Sequence, residues 1–147
     1  MKTKDVKELY GILSGLKLTG MPTPAKMAIL ESIRTLKPFS NTYQADCDDA
    51  IRMLRPEGFD DIEAKANRHN EAVKAENDKG RLSPSDLQEV NEAYAAYFKE
   101  VEGRTKELGE ADCGISPVKI DAACFDKLIE ANDLPAGMLA TLYENLV

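Results

Sequence analysis

The stretch Gly15-Leu16-Lys17-Leu18-Thr19-Gly20-Met21-Pro22 has two glycines at the spacing with which a phosphate-binding loop begins. Such a loop reads G-x-x-x-x-G-K-[ST]: its glycines let backbone N–H groups curl round phosphate, its lysine neutralises the outer charges, and its hydroxyl ligates magnesium. Here Met21 stands in place of the lysine and Pro22 in place of the hydroxyl. The charge, the metal ligand and one backbone donor are therefore missing. A P-loop also follows a buried strand, whereas Val6, Leu9, Tyr10, Leu13 and Leu16 recur at helical spacing. The expectation is that Gly15 stops a helix and Gly20 turns the chain into the next one, entered through Pro22 and Pro24. No nucleotide is expected.

Two other groupings could carry chemistry. Read as a calcium loop from Asp46, the chain supplies Asp48 at the third position and Glu57 at the twelfth, but Ala50 and Ile51 at the fifth and sixth. The sixth position needs glycine for its sharp turn, so no metal site is expected. The single histidine, His69, could serve as base to a thiol of Cys47 or Cys124. Both cysteines fall on apolar stripes, where thiols are usually inert. No hydrolase, metalloprotease or dinucleotide motif is present. The expectation is no enzyme: no catalytic residue, no cofactor and no small-molecule substrate.

Composition narrows the function classes. The 147 residues carry a net charge of −7, which speaks against a nucleic-acid partner, since phosphate affinity comes from clustered Lys and Arg. Residues 1–56 hold nine Lys/Arg against six Asp/Glu, or +3; residues 57–147 hold ten against twenty, or −10. The acids are dispersed among bases at helical spacing, as on solvated helix faces. Three cysteines without a paired spacing fit a reducing compartment. No run approaches the ~18 apolar residues of a membrane helix. A cytoplasmic protein of one domain is expected.

The elements that would position these residues are helices. The first spans about Lys4 to Ser14. The second starts near Thr23 with a stripe Met27-Leu30-Ile33-Leu36, meets Pro38, and resumes through Tyr43, Cys47 and Leu54; a broken helix and one long kinked helix are both allowed. The third runs from about Asp60 to Asp78 with a thin face of Ile62, Ala66, His69 and Val73. The fourth is capped by Ser83 with Pro84 first, and its seam is Leu87, Val90, Tyr94, Tyr97, Val101 and Leu108. Residues 60–108 are expected to form a protruding antiparallel hairpin. Ser116–Asp121 alternates like a strand, and Gly15–Thr19 is the one stretch that could pair with it. Two short helices, Ala122–Ala131 and Pro135–Asn145, close the chain. The fold class is thus mainly α, a helical hairpin or bundle with one small β element.

The order of these segments carries a resemblance. The opening "DVKELYGILSGLKLTGMP", the long "KMAILESIRTLKPFSNTYQADCDDAIRML", the hairpin around "NEAV" and "LSPSDLQEVNEAYAAYFKEVE", and the closing "VKIDAACFDKLIEANDL" are together similar to small uncharacterised proteins encoded in tailed phages and prophages. The resemblance implies a non-catalytic accessory or structural protein in the host cytoplasm. Its contacts would be with a protein partner or with itself, and Leu87, Val90, Tyr94, Tyr97 and Val101 are the interaction candidates. The −10 charge of residues 57–147 suggests an alternative, an acidic inhibitor that occupies a basic surface of a host or viral protein. A third reading is a small enzyme using Cys124, Cys47 or His69.

Overall fold

The computed structural model describes all 147 residues, and the protein is mainly helical. Its helices are α1 (Thr3–Ser14), α2 (Thr23–Met53), α3 (Phe59–Lys74), α4 (Pro84–Glu110), α5 (Ala122–Ala131) and α6 (Ala136–Leu146). No helix is long and apolar enough to cross a membrane. The chain divides into two compact units, one of residues 1–46 with 107–147, the other of residues 47–106.

In the first unit, α1 turns Val6, Leu9 and Leu13 into the core, as its spacing requires. They meet Met21, Ile29 and Leu36, and Phe125, Leu128, Leu142 and Leu146 from α5 and α6. Helix α2 continues unbroken through Pro38, so of the two possibilities the single helix is the one formed. The inward row of α2 differs from the expected stripe. Ala25, Ile29, Ser32, Leu36 and Ser40 are buried, whereas Met27 and Leu30 are 58% and 50% exposed. The row contains two serines, which hydropathy assigns to solvent. Ser32 is nevertheless fully buried because its hydroxyl is used twice: it accepts from the Val118 N–H at 2.8 Å and donates to the Ala28 carbonyl at 2.9 Å. A buried hydroxyl with both partners supplied carries little desolvation cost.

The expected β element is absent: the only bridge is an isolated antiparallel one between Lys2 and Asp112. The backbone groups that seemed to need a partner strand find helices instead. Along Ser116–Asp121, Val118 N–H goes to Ser32, and Ile120 N–H goes to the Leu146 carbonyl at 2.7 Å. Along Gly15–Thr19, the Asn132 side chain accepts from Lys17 N–H at 2.8 Å and donates to the Lys17 carbonyl at 2.8 Å. One amide thus meets both backbone groups that a neighbouring strand would have met. Asp121 caps α5 by accepting from the Cys124 N–H at 2.9 Å.

In the second unit, α3 and the first half of α4 run antiparallel. The Phe59 ring at the start of α3 lies 4.9 Å from Tyr94 and 5.0 Å from Tyr97, while His69, further along, meets Leu82 just before α4. Helix α3 ends at Lys74, short of the expected Asp78, and the chain turns through Glu76 at a left-handed φ of 51°. Its inward row starts from Phe59 and ends at the buried Ala72, and Val73 is 45% exposed. Arg55 fastens the entry to α3: its guanidinium donates to Asp60 at 2.5 Å and Glu63 at 2.6 Å and lies over the Phe59 ring.

Candidate interaction surface

The residues with chemical potential are used structurally. At the two-glycine stretch, Gly15 N–H returns to the Ile12 carbonyl and Leu16 N–H to the Leu13 carbonyl, which closes α1. Gly20 has φ of 83°, a conformation that other residues adopt at a cost. Met21, at the lysine position of a P-loop, is buried in the core.

Asp46, Asp48 and Asp49 lie on the exposed side of α2, with Asp49 paired to Arg52 at 3.2 Å. No group of three or more His, Cys, Asp or Glu side chains converges to hold a metal ion. The His69 Nδ1 accepts from the Leu82 N–H at 2.9 Å, which puts the neutral ring's proton on Nε2 and ties the turn before α4 to α3. Cys47 is buried. The Cys124 thiol is pushed above its ordinary value by its hydrogen bond to the Asp121 carboxylate and by burial. A nucleophilic thiol needs the opposite shift. Cys113 is half-buried against the Thr3 hydroxyl, 3.2 Å away.

Helix α4 is positioned by its cap: the Ser83 hydroxyl accepts from Asp86 N–H at 3.2 Å, and Pro84 opens the first turn. Of the five interaction candidates, Val90 and Tyr97 are 3% and 6% exposed and serve this unit's own core. The Tyr97 hydroxyl donates to the Ile51 carbonyl, one of the last in α2, which has no helical partner of its own. Leu87, Tyr94 and Val101 are half-buried and border the open side of the helix.

That open side contains a residue the seam did not include. Phe98 is 58% exposed, with its ring against Tyr94 at 5.6 Å and Tyr97 at 5.9 Å. Towards the start of the same helix, Pro84, Leu87, Gln88, Asn91, Glu92 and Ala95 line a shallow hollow. A signal for Phe98 was present: Leu87, Asn91, Tyr94, Phe98, Val101, Thr105 and Leu108 recur at alternating steps of four and three, a second heptad row that shares Leu87, Tyr94, Val101 and Leu108 with the first. The polar Asn91 and Thr105 hide it from a search for apolar residues alone. No known protein family, curated protein or solved structure matches the chain.

Proposed function

We propose that this protein is a non-catalytic accessory or structural component that acts by protein–protein contact, with the outer face of α4 as its contact surface. The kind of protein is the one the phage and prophage resemblance implies, working in the host cytoplasm. The observation that carries the reading is Phe98. A large ring 58% exposed, held by two neighbouring rings and bordered by half-buried Leu87, Tyr94 and Val101, is a prepared apolar surface. Aromatic anchors of this kind carry much of the binding free energy at protein interfaces. The raised Cys124 thiol and the structural use of His69 favour this reading over the small enzyme. The pairing of Asp60 and Glu63 with Arg55, and of Asp49 with Arg52, uses part of the acidic surface that an inhibitor of basic targets would present.

The test is size-exclusion chromatography of lysate from cells that express the tagged chain at native level. The wild type is expected in a complex well above 16.2 kDa. The Phe98→Asp variant is expected near its own mass, with a melting temperature lowered by only a few degrees, because the ring is mostly outside the core and loses only its contacts with Tyr94 and Tyr97. A Phe98→Asp variant that elutes with the wild type would refute the reading.

A further inference from the structure

We infer that His69 is an acid-sensitive latch on the turn between α3 and α4: a second proton on its ring breaks the bond to Leu82 and releases residues 78–82 from α3. The latch works whether or not the outer face of α4 meets a partner.

The turn is tied to α3 at its two ends. At the near end, the backbone N–H groups of Ala75, Glu76 and Asn77 return to the carbonyls of Glu71, Val73 and Ala72 at 3.0, 3.2 and 2.9 Å. Past Asn77 the bonds are local. The Asn77 Oδ1 accepts from Lys79 N–H at 3.0 Å, and the Asn77 carbonyl accepts from the Arg81 Nε at 3.1 Å. Gly80 then turns the chain at a φ of 90°. The far end returns to α3 through one polar tie, the 2.9 Å bond from Leu82 N–H to Nδ1 of His69. The next residue, Ser83, already caps α4 by accepting from Asp86 N–H. Loss of the tie therefore loosens the turn and leaves the cap of α4 in place.

A ring nitrogen accepts a hydrogen bond only while it carries no proton. Here Nε2 holds the proton of the neutral ring, so the second proton must go to Nδ1, the atom that Leu82 uses. Both ring nitrogens are then donors, and the Leu82 N–H faces an N–H in place of a lone pair. His69 is the single histidine of the chain. The charged groups nearest to it along the surrounding elements are Lys65 and Arg68 on α3, Glu76, Asp78, Lys79 and Arg81 in the turn, and Asp86 and Glu89 on α4. Carboxylates change charge near pH 4, and lysine and arginine above about pH 10, so among these side chains only a histidine switches between about pH 8 and pH 5. An α-amino group can also titrate there, but that of Met1 bonds Asp112 and Ile115 in the first unit. The ordered turn thus belongs to the neutral ring and is lost as pH falls.

The experiment is nuclear magnetic resonance of the isotope-labelled full chain from about pH 8 to pH 5, the range in which histidines titrate. At the upper end, a scalar coupling across the hydrogen bond should join the Leu82 nitrogen to Nδ1 of His69, and at the lower end it should be gone. The protection of the Leu82 amide from exchange, corrected for its intrinsic rate, should fall about two- to twelvefold, the equivalent of one net hydrogen bond. The fall should follow the same curve as the carbon-bound protons of the ring, while the amides of Leu9 and Leu13 in α1 keep their protection. Asparagine is the discriminating replacement, since its Oδ1 stands as many bonds from the backbone as Nδ1, accepts a hydrogen bond and does not titrate. His69→Asn should keep the Leu82 amide protected across the whole range, and His69→Ala should leave it loosened throughout. A missing coupling at the upper end would overturn the inference. So would a Leu82 amide that does not follow the ring, or a pH response that survives in either variant.

Discussion

Asn132 takes the place of a β-strand, and removing its side chain should show how much that substitution is worth. The amide makes three hydrogen bonds: it accepts from Lys17 N–H at 2.8 Å, donates to the Lys17 carbonyl at 2.8 Å, and donates to the Leu128 carbonyl at 2.9 Å. A typical bond contributes about 0.5–1.5 kcal/mol net. Two of these lie near solvent, where water replaces part of the loss, so Asn132→Ala should cost about 1.5 kcal/mol. With a urea slope of roughly 2 kcal/mol/M for a chain of this size, the midpoint should fall by about 0.7 M. Asn132→Asp is the sharper probe. Its carboxylate keeps the acceptor for Lys17 N–H but turns a second oxygen towards two carbonyls. The charged form is disfavoured, so the folded-state pKa of the new carboxyl lies above the ordinary ~3.9. Its protonated form regains one donor. The deficit should therefore be largest at pH 7, where it exceeds that of the alanine variant, and shrink as pH falls through the raised pKa. Urea midpoints at pH 7 and pH 4 check this. An Asn132→Ala midpoint within 0.1 M of wild type, or an Asn132→Asp deficit independent of pH, would refute the claim that this amide holds the Gly15–Thr19 segment.

Three further outcomes follow from the same structure. Tyr97→Phe keeps the ring in the Phe59 cluster but leaves the Ile51 carbonyl without its donor, so it should lose about 1 kcal/mol and roughly 3 °C in melting temperature; an unchanged melt would contradict the bond. Gly109→Ala would put a methyl group 2.9 Å from the Tyr43 hydroxyl and 3.3 Å from the Lys4 Cβ, a crowded contact that should cost about 1–3 kcal/mol, and Gly109→Ala/Tyr43→Phe should recover part of it in the same thermal assay. Lys2 and Lys4 hold the Glu110 carboxyl down to about 2; because this folded value is depressed from 4.5, its stabilising effect is present above pH 4.5 and lost as pH falls towards 2. The melting difference between wild type and Glu110→Gln should accordingly be small, present at pH 6, reduced by salt and gone near pH 2.

How much of this was legible in the sequence depends on where hydropathy and local chemistry agree. Helix α4 announced its start with Ser83-Pro84, because capping and proline geometry are local rules that tertiary structure rarely overrides. Helix α1 and the stop at Gly15 were legible because Val6, Leu9 and Leu13 are both apolar and inward. Helix α2 was misread on its core side because Ser32 is buried by a hydrogen bond to Val118, 86 residues away, and no local rule anticipates such a partner. The same distance hid the fate of Ser116–Asp121 and Gly15–Thr19: alternation called for a strand, but Ser32, Leu146 and Asn132 satisfied the backbone instead. At the candidate surface, helix α4 was legible, and of its seam Val90 and Tyr97 are buried, but Phe98 was not legible, because the outer row is interrupted by Asn91 and Thr105. Residues that bind a partner need not form an unbroken apolar stripe, since one anchor in a shaped hollow suffices.

The central claim is that the outer face of α4 touches another protein while its inner face does not. Site-specific photo-crosslinking in living cells tests this most directly, with a photoreactive phenylalanine analogue placed at Phe98 in one variant and at Val90 in another. Phe98 is 58% exposed and Val90 is 3% exposed on the same helix. The account expects a discrete protein adduct from position 98 under ultraviolet light and none from position 90. Absence of any adduct at 98, or an equal yield at 90, would contradict it.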